Sequence, residues 1–192
     1  MMKRTCKLLF ILILPAILSG CIAAAVTATA TGAAVAVDKR TTGTVIEDQS
    51  IELKAKQSLA KHEEIKDNSH INIVSYNTVV LVTGEATTEA IRDQIIETVR
   101  DVPKVSHVHN EISIAAPNSL MARSSDSLIT SKVKTRLLAA KDVDGYNIKV
   151  VTDKGAVYLM GLISREEAER ATDVVRRTGG VQKVVKLFQY TD

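Results

Sequence analysis

The chain has no tryptophan, two phenylalanines and four tyrosines among its 192 residues, so stacking platforms for bases are not available in number. A general nucleic-acid binder would also show a basic excess interleaved with aromatics, and that pattern is missing. Only two cysteines occur, Cys6 and Cys21, and the 171 residues after Cys21 have none. Disulfides, thiolate metal sites and cysteine nucleophiles are therefore excluded from that long remainder. No Gly-x-Ser-x-Gly elbow, no glycine-rich phosphate loop and no dinucleotide fingerprint appears, and no cofactor is expected.

Histidine is scarce too. His62, His70, His107 and His109 all lie before residue 110, so the later half has no imidazole to act as a base. His107 and His109 alternate on one face of a predicted strand, a spacing that could share a metal. No third ligand is evident nearby, and a solvated edge strand explains the pair equally well. Glu166, Glu167 and Glu169 fall early in a predicted helix, where the macrodipole favours carboxylates, and a structural role is the simpler reading. Neither an enzyme nor a metal site is expected.

What is present begins at the N-terminus. Lys3, Arg4 and Lys7 precede an apolar run from Leu8 to Leu18, interrupted only by Pro15. That run suits a secretory h-region and is shorter than the ~20 residues of a membrane-spanning helix. It ends in Leu18-Ser19-Gly20-Cys21, which resembles the bacterial lipobox. The resemblance implies cleavage before Cys21, with diacylglycerol on its thiol and a further acyl chain (palmitate class) on its amino group. Ile22 follows, where an aspartate usually retains such proteins in the inner membrane; the outer membrane, viewed from the periplasm, is the expected location. Three of the 25 Lys and Arg leave with the signal and none of the 22 acids do, so the mature chain has 22 of each.

Beyond Cys21 the expected organisation is a lipidated N-terminus and Ala/Thr-rich tether over 21–47, a first domain over 48–114, a linker over 115–125 and a second domain over 126–192. The two domains are copies of one unit. Ile71, Ile73, Leu81 and Gly84 recur 77 residues later as Ile148, Val150, Tyr158 and Gly161. Ile95, Val99, Val105, Val108 and Ile112 recur 76 residues later as Ala171, Val175, Val181, Val184 and Phe188. Each copy predicts a helix (Ile51, Ala55, Leu59; Ile129, Val133, Leu137), a hairpin turning at Tyr76-Asn77-Thr78 or Asp153-Lys154-Gly155, a second helix and a last strand. Ser164 with Glu167 has the spacing of a capping box. The fold class is α+β, two tandem αββαβ units with helices on one face of a small mixed sheet.

The element order, the repeated glycine after the second strand, and Gly180-Val181-x-x-Val184 at the start of the last strand resemble the BON domain. Copy one has Pro103-Lys104 where copy two has Gly179-Gly180, so its last turn is expected to be built differently. Two such copies behind a lipobox resemble the dual-BON outer-membrane lipoproteins.

The first helix of copy two, Ser127 to Ala140, carries the candidate site. Leu128 and Leu138 fall off the core stripe, and Lys132, Lys134, Arg136 and Lys141 supply cations, with Asp126 and Asp142 only at its edges. A helix of this kind can lie at a phospholipid interface. It can equally pack its leucines on the other domain, with the lysines as a solvated face. The first helix of copy one has Lys54, Lys56 and Lys61 but no matching off-stripe leucines. The family resemblance favours the first reading and implies binding of anionic phospholipid (phosphatidylglycerol class) through Leu128, Val133, Lys134 and Leu138, with Lys132 alongside. Relatives can carry a tryptophan where this chain has Leu128. The resemblance further implies a role in outer-membrane integrity and a link to the β-barrel assembly machinery. A lipid-anchored, protein-binding adaptor is the alternative.

Overall fold

The computed structural model describes residues 38–115 and 120–192. The signal, Cys21 and most of the expected tether lie outside the described residues, as do four residues of the expected linker.

Copy one opens with α1, Thr42–Leu59, whose N-cap Thr41 accepts a hydrogen bond from the Thr44 amide (3.1 Å). The helix thus starts six residues before the expected domain boundary. Ile51, Ala55 and Leu59, four residues apart, are its buried stripe. A short α2, Glu63–Asn68, is an element beyond the expected αββαβ order and buries Ile65. The sheet follows as β1 (Ser69–Tyr76), β2 (Val79–Ala86) and, after the crossover helix α3 (Glu89–Arg100), β3 (His107–Ile114). β1 and β2 are antiparallel, and β3 lies parallel to β2, so β2 is central. Copy two repeats this with α4 (Leu120–Ala139), a single 3-10 turn (Gly145–Asn147) before the sheet, β4 (Ile148–Asp153), β5 (Ala156–Ile163), α5 (Arg165–Arg176) and β6 (Lys183–Tyr190). α4 absorbs six residues of the expected linker, since the chain from Leu120 to Ala139 contains no proline or glycine to stop it.

Both hairpins turn through two residues with positive φ, Asn77 and Thr78 in one (50° and 66°), Lys154 and Gly155 in the other (49° and 74°). Such turns match the right-handed twist of the strands they join. An aspartate on the preceding helix caps each. Asp48 accepts from the Asn77 and Thr78 amides, both at 2.8 Å; Asp126 accepts from Lys154 and Gly155 at 2.8 and 2.9 Å. Asp126 is therefore a structural cap and more than an edge charge. The last turn corrects another expectation. Lys104 (φ 76°) and Gly180 (φ 101°) occupy the same left-handed region, and Val105 and Val181 donate back to Val102 and Thr178, each at 3.2 Å. The two turns share one design, and copy one accepts the strain of a lysine there. The repeated glycine has a steric cause, because a Cβ on Gly84 (φ 120°) would lie 2.0 Å from the His70 carbonyl oxygen.

Each sheet packs its helices on one face, in separate cores around Ile95 and Val99 or Val157 and Leu159. The opposite faces of the two sheets meet. Val74, Tyr76 and Leu81 of copy one form a third core with Val151, Tyr158 and Met160 of copy two. Two copies of about 65 residues, each close to the lower size limit for a stable core, in this way bury both faces of both sheets. Polar contacts edge this core. Tyr76 donates to the Asn147 carbonyl (3.2 Å), Asn77 Nδ2 to Gln189 Oε1 (2.6 Å), and Tyr158 to Glu111 (3.2 Å). Burial, with Glu111 beside it, pushes the Tyr158 hydroxyl well above the usual phenol range, so it remains a donor.

Glu85 is the costly member of this edge. It is 1% exposed, and its Oε1 lies 2.9 Å from Lys154 Nζ, an ion pair without hydrogen-bond geometry; the same ammonium donates to Ser113 Oγ (2.6 Å). Removing the cation leaves a buried carboxylate uncompensated. Lys154→Met is expected to lower stability by ~2–3 kcal/mol in urea denaturation, and adding Glu85→Gln should recover most of that loss. No recovery would mean that the lysine acts through its stem.

Candidate functional site

α4 presents two faces. Ile129, Val133 and Leu137 are 7%, 0% and 0% exposed and form its inner stripe. Val133, implicated above by resemblance, has no surface to offer a ligand; it holds the helix on its sheet. Leu128 and Leu138 are 63% and 48% exposed, so they do not pack on the other domain. At 100° per residue, Leu128, Ser131, Thr135 and Leu138 fall within about 80° of the helix circumference. The two hydroxyls on this line turn inward: Ser131 donates to the Ser127 carbonyl (3.0 Å) and Thr135 to the Ser131 carbonyl (2.9 Å). With both donors satisfied inside the helix, the line is less polar than its composition suggests.

Lys132 and Lys134 flank the line on either side, both exposed and with no ion pair among the described residues. Arg136 does not belong with them. Its Nη1 donates to the Arg177 carbonyl at the C-terminal end of α5 (2.5 Å), where a cation also complements the macrodipole. The surface is an exposed apolar line between free lysines, a form suited to an interface of headgroups and acyl chains.

Two further exposed apolar features were not read from the sequence. Ile46 and Leu53 on α1 are 62% and 58% exposed and lie seven residues apart on one face, so the first helix of copy one does carry an outward leucine. Tyr146, 72% exposed, stands on the 3-10 turn after α4. Its neighbour Asn147 is buried and pinned, accepting from the Lys39 amide (3.0 Å) and donating to Asp144 (2.6 Å). The predicted capping box at α5 is half present. Ser164 Oγ accepts from the Glu167 amide (3.2 Å), while the Glu167 carboxylate turns away to the Asp144 amide (2.8 Å) and Lys39 Nζ (3.4 Å).

The histidine rings of positions 107 and 109 stand edge to face with centroids 4.5 Å apart. Burial, and then the neighbouring His107, lower the basicity of His109. Glu111, the next side chain along that face, is engaged by Tyr158. No cluster of three metal-ligating side chains forms among the described residues, and no described helix is long and apolar enough to cross a membrane.

Comparison with known proteins adds to this geometry. The BON domain family matches residues 47–116 and again 125–192. The chain is 35% identical to outer membrane lipoprotein DolP of Haemophilus influenzae over 91% of each chain. It is 34% identical to a 21 kDa hemolysin of Actinobacillus pleuropneumoniae, over 80% of this chain and 79% of that one. Osmotically-inducible protein Y of Escherichia coli is 28% identical, over 74% of this chain and 72% of its own length.

Proposed function

The chain belongs to the BON-domain family, and on that premise we propose that it is a non-enzymatic outer-membrane lipoprotein, anchored at Cys21 and facing the periplasm, that binds anionic phospholipid through α4 and helps maintain outer-membrane integrity. The observation that carries this reading is the joint exposure of Leu128 and Leu138 on one line between Lys132 and Lys134. The similarity to DolP, an outer membrane lipoprotein by name, supports the location and the anchor over nearly the whole length of both chains. Each lysine near an anionic surface contributes ~1 kcal/mol. The leucines contribute by leaving water.

The test is co-sedimentation of residues 22–192 with vesicles. Phosphatidylglycerol vesicles should bind the chain and phosphatidylcholine vesicles should not, and salt should weaken binding as the Debye length falls to ~8 Å at physiological ionic strength. Equal binding to both would remove the anionic specificity. A second reading, a lipid-anchored adaptor for an envelope protein such as the β-barrel assembly machinery, draws on the outward pair Ile46 and Leu53. It becomes the better account if neither vesicle binds.

The anchor has its own test. Cys21→Ser is expected to abolish lipidation and leave a larger precursor on a gel, since acylation and cleavage both depend on that thiol. Normal mature protein in the outer membrane after this change would contradict the lipobox reading. High salt should not extract the parent, because three acyl chains exceed the two signals stable attachment needs.

A further inference from the structure

At the C-terminal end of α4 the surface dips between the helix, the 3-10 turn and β4, enclosing about 250 Å³. Its lining includes three cations, Arg40, Lys134 and Lys149, and no carboxylate; Leu138, Tyr146 and Ile148 form the apolar part. The Arg40 charge is already met by Asp38 (2.7 Å) and Asp48 (2.9 Å) while its guanidinium stacks 4.1 Å above the Tyr76 ring. Lys134 and Lys149 are exposed and have no ion pair among the described residues, so the depression carries two uncompensated positive charges. Leu138 and Tyr146 stand beside those charges, 48% and 72% exposed. An exposed aromatic with a polar tip, next to a leucine and paired lysines, fits the headgroup layer of a bilayer better than it fits water.

The chain's own course connects this face to the anchor. The segment just before α1 is stapled beside the depression. The Lys39 amide donates to Asn147 Oδ1 (3.0 Å) and Lys39 Nζ pairs with Glu167 (3.4 Å), both in copy two, while Arg40 pairs with Asp48 in copy one. Sixteen residues separate Cys21 from Asp38, a reach of at most ~60 Å when extended. The leaflet that holds the anchor is therefore within reach of this face.

We infer that the depression is a headgroup subsite for an anionic phospholipid of the anchoring leaflet, with Lys134 and Lys149 on the phosphate and Leu138 and Tyr146 among the upper acyl carbons. The subsite rests on the lipid-binding reading above and extends it from one helix to a surface built by α4, the turn and β4. It moves the centre of contact toward the C-terminal end of α4, about 15 Å from Leu128.

The absence of tryptophan makes this testable. In residues 22–192, Tyr146→Trp introduces a single indole at an exposed position. Its emission should shift to the blue on adding phosphatidylglycerol vesicles, stay unshifted with phosphatidylcholine vesicles, and be quenched by lipids brominated on the upper acyl chain. Lys149→Glu should weaken phosphatidylglycerol binding about tenfold or more with an unchanged melting temperature. If the vesicles bind while the indole shows no shift and Lys149→Glu binds like the parent, the subsite is wrong and the helix reading stands. If the parent fails to bind, both fall together.

Discussion

Replacing Asp48 with alanine is expected to cost about 4 kcal/mol and to lower the melting temperature by roughly 10–15 °C. This carboxylate is 3% exposed and accepts from four donors: Ser75 Oγ (2.7 Å), the amides of Asn77 and Thr78 (2.8 Å each) and Arg40 Nη1 (2.9 Å). Alanine leaves two turn amides and a buried hydroxyl without their acceptor and removes one of the two carboxylates that meet the Arg40 guanidinium, and each orphaned donor costs ~1–3 kcal/mol less whatever water recovers. The same change leaves Arg40 with Asp38 and the Tyr76 ring as its partners. Asp126 supplies the internal comparison. It caps the second hairpin with the same two amide bonds but is only half-buried, with no buried hydroxyl to satisfy. Asp126→Ala should cost only ~1–2 kcal/mol. Melts or urea titrations of the two variants side by side decide the point. Equal losses would mean that the hairpin cap, and not the wider network around Asp48, sets the value.

The repeat, the order of elements and the core stripes were legible because they depend on local period: Ile51, Ala55 and Leu59 for a helix, and the alternation Ile71-Asn72-Ile73 or Ile148-Lys149-Val150 for a strand. The pairing of the sheets was not read, although a trace of it stands in the sequence. Val80-Leu81-Val82 and Val157-Tyr158-Leu159-Met160 are unbroken apolar runs, as expected of central strands buried on both faces. Lys104 gave no sign of its left-handed backbone, since nothing in a lysine marks positive φ and only the turn around it imposes one. Leu128 and Leu138 were found by helical projection, and Val133 entered the candidate site only through resemblance; its place on the core stripe agrees with its burial. Tyr146 escaped notice because its exposure follows from Asn147 being pinned beneath it, by Asp144 and by a backbone amide more than a hundred residues away.

The central claim, that the outward face of α4 meets anionic lipid, is tested most directly at its two leucines. Leu128→Glu and Leu138→Glu each remove a side chain worth ~2 kcal/mol when buried and add a carboxylate that an anionic surface repels by ~1 kcal/mol. Together these amount to a loss of about a hundredfold in affinity. Both positions are exposed, so neither change should disturb the fold. Val133→Glu, at 0% exposure, is the opposite control, because its charge enters the core and the chain should lose stability first. The measurement is co-sedimentation of residues 22–192 with phosphatidylglycerol vesicles, with melting curves run on the same samples. The account predicts that both leucine variants melt like the parent and stay in the supernatant. Variants that melt like the parent and still pellet with the vesicles would contradict it.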